Sequence, residues 1–179
     1  ELAADGLHPP DLSAANSVTE VLSACRAIYL TEGLRSLEEI PSASVDRVFS
    51  QAVLEHVRRY EFEETMRQMH RILKPTGVAS HRVDLKDHLG AALNNLRFSE
   101  RRWESTLFVD SGFYTNRIRF SEMCEVMTRA GFEVEIIQVD IWEELPTPLV
   151  KLDPRFSRMP KDELLVSGFD VVLRPVDAA

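Results

Sequence analysis

Apolar positions along this chain come in short blocks, and the spacing inside each block switches between the helical and the extended period. After a turn-rich lead-in through Pro10, Ser13 or Asn16 is placed to cap a short helix with the stripe Val18, Val21, Leu22 and Cys25. Ala27, Ile28, Tyr29 and Leu30 form a compact apolar run that stops at Thr31, Glu32 and Gly33, which predicts a buried strand ending in a loop. A brief helical pattern before Pro41 precedes a second strand over residues 45–49. Residues 60–73 carry the strongest helical signal: Phe62, Met66, Met69 and Leu73 share one face while Glu63, Glu64, Arg67 and Gln68 share another. Lys74, Pro75, Thr76 and Gly77 then predict a stop, with a glycine suited to a left-handed turn, and residues 78–83 predict the next strand.

The later half is less periodic. Leu85, Leu89 and Leu93 fit a helical face, but residues 84–120 as a whole mix aromatics, arginines and turn formers and read as an irregular excursion. Ser121 is placed to cap a helix through Met123, Val126, Met127 and Ala130, with Gly131 at its C-terminal end. From Phe132 the apolar phase runs through Val134 and Ile136, then slips by one residue to Ile137, Val139 and Ile141, which predicts a β-bulge. A proline-rich loop over 142–162 separates this strand from a closing strand over 164–173, and the lack of an obvious helix between them favours antiparallel pairing. The expected architecture is a single α/β domain over 1–179, mainly parallel with an antiparallel C-terminal strand pair.

Composition narrows the function classes. A formal net charge of -8 argues against binding nucleic acid through its phosphates, which relies on basic residues to displace counterions. No apolar run is long enough to cross a bilayer, and the start lacks a secretory pattern, so a cytoplasmic location without membrane association is expected. The opening residue is not methionine, which suggests a processed product or a fragment. Cys25 and Cys124 lie in apolar surroundings with no paired spacing and read as buried thiols in a reducing compartment.

Residues 44–80, SVDRVFSQAVLEHVRRYEFEETMRQMHRILKPTGVAS, closely resemble the stretch from the fourth to the fifth strand of class I S-adenosylmethionine-dependent methyltransferases (the type 11-like members). The matching positions are Asp46, Val48, Phe49, Leu54, Glu55, His56, Arg71, Leu73, Lys74, Pro75 and Gly77, with Thr76 in place of the first glycine of the turn. Ala130, Gly131 and Phe132 resemble the approach to the family's sixth strand. The resemblance implies a partial Rossmann-like methyltransferase sheet covering the C-terminal two-thirds of the family domain. The family's glycine-rich loop follows its first strand, where glycine lets the backbone approach the cofactor closely. No G-x-G occurs anywhere in this chain, and placing residues 27–30 as the family's third strand puts the first two before Glu1, a truncated domain.

The resemblance also implies site residues. Glu32 would lie near the adenine amino group, with a solvated loop acid as the alternative. Ser50, Gln51 and Ala52, at the C-terminal end of the fourth strand, would contact the cofactor or acceptor. His56 is a candidate base or a junction cap, and His81 a second candidate base or acceptor-orienting group. The cluster His81, Asp84, Asp87 and His88 reads as a polar strand end in preference to a metal site. Asp84, Asn95, Arg97, Trp103, Tyr114, Asn116 and Arg117 could face a small polar acceptor or hold their own loop together, and Trp103 could equally be a packing anchor.

In the family a nucleophile attacks the sulfonium methyl in line, and the protein chiefly aligns the reactants. Two functional readings follow: S-adenosylmethionine-dependent methyl transfer to a small polar acceptor by the intact protein, with this fragment inactive and binding no cofactor; or a degenerate structural or protein-binding module. A homodimer, or pairing with the missing N-terminal segment, is expected because the fourth strand lacks its usual neighbour.

Overall fold

The computed structural model describes residues 9–176, so most of the turn-rich lead-in lies outside them. The chain divides into two compact units, one up to Ser36 and one from Leu37 onward. In the first unit, helix α1 (Val18–Ala24) is capped by Ser17, one residue beyond the expected Asn16. The Ser17 hydroxyl accepts from the Glu20 amide, and the Glu20 carboxylate reaches back to the amide of Asn16. The expected strand over 27–30 does not form: the run has no regular secondary structure, and Ile28 and Tyr29 are 86% and 74% exposed. An extended apolar run becomes a strand only when a neighbour takes its backbone hydrogen bonds. Cys25 is likewise exposed, and Cys124 half-buried, so neither is a core thiol. Helix α2 (Leu34–Glu39) follows.

The second unit is built on a four-stranded sheet in the order β1-β2-β4-β3, formed by β1 (Val45–Gln51), β2 (Leu73–Asp84), β3 (Phe132–Ile141) and β4 (Val166–Pro175). Only β1 and β2 run parallel; β4 is antiparallel to both its neighbours. The sheet is therefore mixed, and the expectation of a mainly parallel one is overturned. The physical reason lies in the connections. Helix α3 (Arg59–Ile72) makes the one strand-helix-strand crossover between paired strands, whereas β4 returns from β3 and slots in between β2 and β3, reversing direction against each.

Other boundaries moved for local reasons. The β3 register slips between Ile136 and Gln138, at the position where the apolar phase changes. β2 starts directly at Leu73, and Gly77 is not left-handed. A Cβ there would lie 3.0 Å from the Lys74 carbonyl oxygen and 3.1 Å from that of Val45, so the residue is small because two backbones pass close by. Residues 85–93 form turns instead of a helix. The Asp87 carboxylate accepts from the amides of Leu89 and Asn94, closing a loop before a helix can propagate. Short helices α4 (Glu100–Trp103) and α5 (Thr106–Val109) punctuate the excursion. Helix α6 (Phe120–Arg129) leads to β3. The proline-rich loop, expected to be helix-free, contains α7 (Pro154–Ser157) and α8 (Lys161–Leu165), and Leu164 and Leu165 therefore belong to a helix and not to the closing strand.

The core sits between one face of the sheet and helices α3 and α6. Phe62, Met66 and Met69 from α3 and Met123, Val126 and Met127 from α6 pack with Ala79, Val83, Phe169, Val171 and Leu173. A second cluster joins the excursion to the proline-rich loop through Leu93, Leu96, Leu152, Phe156 and Leu164, and a third stacks Trp103 with Phe108 and Tyr114. Among the described residues no helix is long and apolar enough to cross a membrane.

Candidate functional site at the carboxyl ends of β1 and β2

In an open α/β sheet the carboxyl ends of the parallel strands are where ligands gather. Here those ends are Gln51 and Asp84. Ser50 pairs with His81 across the parallel ladder, and its hydroxyl lies 2.7 Å from the His81 Nδ1. His81 is only 1% exposed and its Nε2 has no hydrogen-bond partner. Burial pulls its pKa down to about 4, because the imidazolium would lose its hydration. The ring is thus neutral around pH 7 and is poorly disposed to take a proton from an acceptor; its contact with the strand end runs through Ser50.

Gln51 and Ala52 are exposed, and Ala52 adopts φ +52°, a left-handed conformation unusual for a residue with a side chain. The Ala52 amide donates to the Arg82 carbonyl oxygen at 2.9 Å, which holds the turn. A 3-10 turn, Leu54–His56, follows. It turns Leu54 and Glu55 inward and leaves His56 half-buried. The His56 Nδ1 lies 2.8 Å from the Tyr114 carbonyl oxygen. A carbonyl can only accept, so Nδ1 donates, and in the neutral tautomer it is Nε2 that carries the lone pair. The ring packs edge-on to His88 at 4.9 Å.

The excursion closes over this turn through buried polar residues. Asn116 donates its backbone amide to the Glu55 carbonyl oxygen at 2.7 Å, and its side-chain amide to the carbonyl oxygens of Leu54 and Val57, both at 2.9 Å. Asn95 donates to the Thr115 hydroxyl, and Trp103, fully buried, donates its indole N–H to the Thr115 carbonyl oxygen. Arg117, at φ +58° and 4% exposed, binds the carbonyl oxygens of Asn95 and Phe98 and the Glu100 carboxylate. Desolvation lowers its pKa, partly offset by Glu100. Tyr114 donates to Glu104, and burial pushes the pKa of both upward.

Of the residues singled out in the sequence, the structure therefore gathers Ser50, Gln51, Ala52, His56, His81 and Asp84 around two strand ends, and stacks Asn95, Trp103, Tyr114, Asn116 and Arg117 behind them as an internal framework. Arg97 shares the 3-10 turn Asn94–Arg97 with Asn95 but is exposed, while Asn95 points inward. Asp84 folds back onto the Lys86 amide at 2.9 Å. Glu32 is an exposed residue of the first unit, its amide bound by the Ser36 hydroxyl. His81, Asp84, Asp87 and His88 do not converge, and among the described residues no group of three His, Cys, Asp or Glu side chains has a metal-holding arrangement.

Three residues carry more than sequence reasoning gave them. Glu55 appeared only as a motif position, yet it is 2% exposed, and its pKa is pushed up to about 7, chiefly by burial, with the Asp84 charge adding to the shift. Arg119 is 2% exposed and binds the carbonyl oxygens of Leu85, Glu163, Leu164 and Val166; burial brings its pKa down to about 10. Glu104 lines an open groove of about 470 Å³ with Arg58, Arg59, Tyr60, Glu100 and Val109 at the start of α3. The usable signal was the pair of arginines at 117 and 119 on either side of Ile118, in a stretch that also holds Phe113, Tyr114 and Phe120.

A family model described as a methyltransferase domain matches residues 8–80, under half of the chain. The chain aligns with the [4+2]-cyclase SpnF at a TM-score of 0.50 and 14% identity, covering 92% of this chain and 62% of SpnF. The chain has a methyltransferase-like fold. An S-adenosylmethionine-dependent methyltransferase from Methanosarcina mazei aligns at 0.49 and 14% identity, covering 91% of this chain and 79% of that one. A chain of the Haloferax volcanii complex between the Trm112 methyltransferase activator and a candidate methyltransferase aligns at 0.43 and 17% identity, covering 79% of this chain and 58% of that one. No curated protein matches the sequence significantly. The methyltransferase-like chain thus spans under two thirds of both SpnF and the Haloferax protein.

Whether the residues present fit S-adenosylmethionine turns on the strand end itself, where Gln51 and Ala52 are exposed and Ser50 is half-buried with its hydroxyl held at His81.

Proposed function

We propose that this chain supplies the acceptor-side part of an S-adenosylmethionine-dependent methyltransferase for a small polar acceptor, and that the chain alone binds the cofactor too weakly to turn over. The observation that carries this reading is the strand end itself. A strand-helix-strand unit inside the stretch matched by the methyltransferase model leaves Ser50, Gln51, Ala52 and His56 at the edge where ligands of such sheets sit. In this reading His56, with its Nε2 lone pair, orients or deprotonates the acceptor, and His81 acts as a positioning residue by holding the Ser50 hydroxyl. In this reading the cofactor grip requires a glycine-rich loop, and no G-x-G occurs in this sequence. The likeness to a [4+2]-cyclase supports the fold and leaves the reaction open.

Titration calorimetry of the 179-residue chain with S-adenosylhomocysteine tests the claim of weak binding: no stoichiometric heat is expected at micromolar concentrations. Binding that remains tight would overturn it. With a longer form of the protein that includes a glycine-rich loop, the same titration is expected to give one site per chain. A flat trace there would remove the methyltransferase reading altogether.

A specific observation favours a second reading, a protein-binding module. Among the described residues β1 pairs on one side only, with β2, and Phe49 and Val53 beside it are 74% and 48% exposed. An unpaired strand edge next to exposed apolar side chains is a template for another strand, from a second copy or from elsewhere in the protein.

A further inference from the structure

Between the turn after β1 and the excursion lies a small, partly open cavity with about 10 Å³ of room for the centre of a water molecule, close to what one water requires. Its walls include Glu55, Asp84, Asn95, Thr115, Arg117 and Arg119. Neither carboxylate oxygen of Glu55 makes a hydrogen bond, although the residue is 2% exposed. Asn95 is 3% exposed; its amide nitrogen is spent on Thr115, and its oxygen is left without a partner. Arg117 and Arg119 engage their terminal nitrogens, but the Nε of each has none.

Buried polar groups left unpaired cost free energy comparable to a lost hydrogen bond, and such sites are ordinarily completed by ordered water. The lining decides among the small ligands. A cation would suit the Glu55 and Asn95 oxygens but would face two guanidinium groups in the same wall. An anion would suit the guanidiniums and face Glu55 and Asp84. A neutral molecule that both donates and accepts meets neither objection.

We propose that this cavity is a binding site for a single internal water molecule, which donates to Glu55 and Asn95 and ties the turn after β1 to the segment Tyr114 through Arg119. The backbone and Asn116 already clamp the two from one side, at 2.7 to 2.9 Å. The water completes the clamp from the side-chain side. Glu55 accepts from it when ionised and can donate to it when protonated, so the bridge survives titration; the charged groups facing it are Asp84, His88, Arg117 and Arg119. The inference does not depend on the methyl-transfer reading.

The test is a crystal structure of the wild-type chain that resolves ordered water, paired with ¹⁷O magnetic relaxation dispersion in solution. One full-occupancy peak is expected about 3 Å from both Glu55 and the Asn95 oxygen, together with a dispersion step corresponding to one long-lived water. Glu55→Gln is expected to keep both signals, and Glu55→Leu to lose that one water. An empty cavity in the wild type, a Glu55 side chain swung out to solvent, or a peak that gives rubidium anomalous signal after soaking would each overturn the proposal. The wild-type measurements decide it even where Glu55→Leu fails to fold.

Discussion

At the scale of single residues, two buried titratable groups pull stability in opposite directions with pH. Glu55 has its folded pKa raised from 4.5 to about 7, so the folded state keeps a proton that the unfolded chain has released. Its contribution is fully present below pH 4.5 and is lost as pH rises to about 7, at a slope of about 1.4 kcal/mol per pH unit. His81 has its folded pKa lowered from 6.5 to about 4, so its contribution is present above pH 6.5 and is lost as pH falls towards 4, with the opposite slope. Between pH 4.5 and 6.5 the two nearly cancel. Urea unfolding of Glu55→Gln across that range is expected to gain stability with rising pH relative to wild type, by a total of about 2 kcal/mol or more. Parallel curves for the two proteins would show that Glu55 is not titrating as the structure implies. The motif made Glu55 and His56 legible as a pair, but which one turns inward was not, because the 3-10 turn that decides it has no period of its own.

At the scale of elements, the legible features were those with a repeat. The stripe on α3, the α6 face and the phase slip in β3 all follow from spacing, and each appears within a residue or two of its expected place. Elements too short to show a period were missed, α7 and α8 above all. Glycines make the same point. Gly131 has φ +98°, and a Cβ there would stand 2.8 Å from the His70 Nε2. Gly131→Ala is expected to lower stability by about 1–3 kcal/mol, combining backbone strain with the clash. Adding His70→Ala should recover only the clash, and full recovery in thermal melts would show that the backbone conformation is not strained. Gly77→Ala is expected to cost about 1–2 kcal/mol with no left-handed strain involved, since its Cβ meets two carbonyl oxygens at 3.0 and 3.1 Å. A neutral result there would show that β2 can move away from Val45 freely.

At the scale of the whole molecule, the exposed flank of β1 makes association the expected behaviour. Light scattering behind a sizing column should show a mass that rises with concentration, and Phe49→Lys should shift it back towards 20.4 kDa. A constant monomer mass at all concentrations, for wild type and variant alike, would leave the protein-binding reading without support.

What the sequence determined by itself was the local grammar: where a helix presents an apolar face, where a strand changes phase, and which stretch resembles a methyltransferase. Those follow from neighbours within a few residues, where side-chain period and backbone geometry are linked directly. Strand direction, the fate of residues 27–30 and the role of Glu55 were decided only by the tertiary structure. Each depends on a partner distant in sequence: β4 placed between β2 and β3, the ladder pairing that residues 27–30 lack among the described residues, and the segment Thr115 through Arg119 that shields Glu55 from bulk solvent. Hydrogen-bond pairing and desolvation act through space, and the order of residues along the chain does not specify which surfaces will meet.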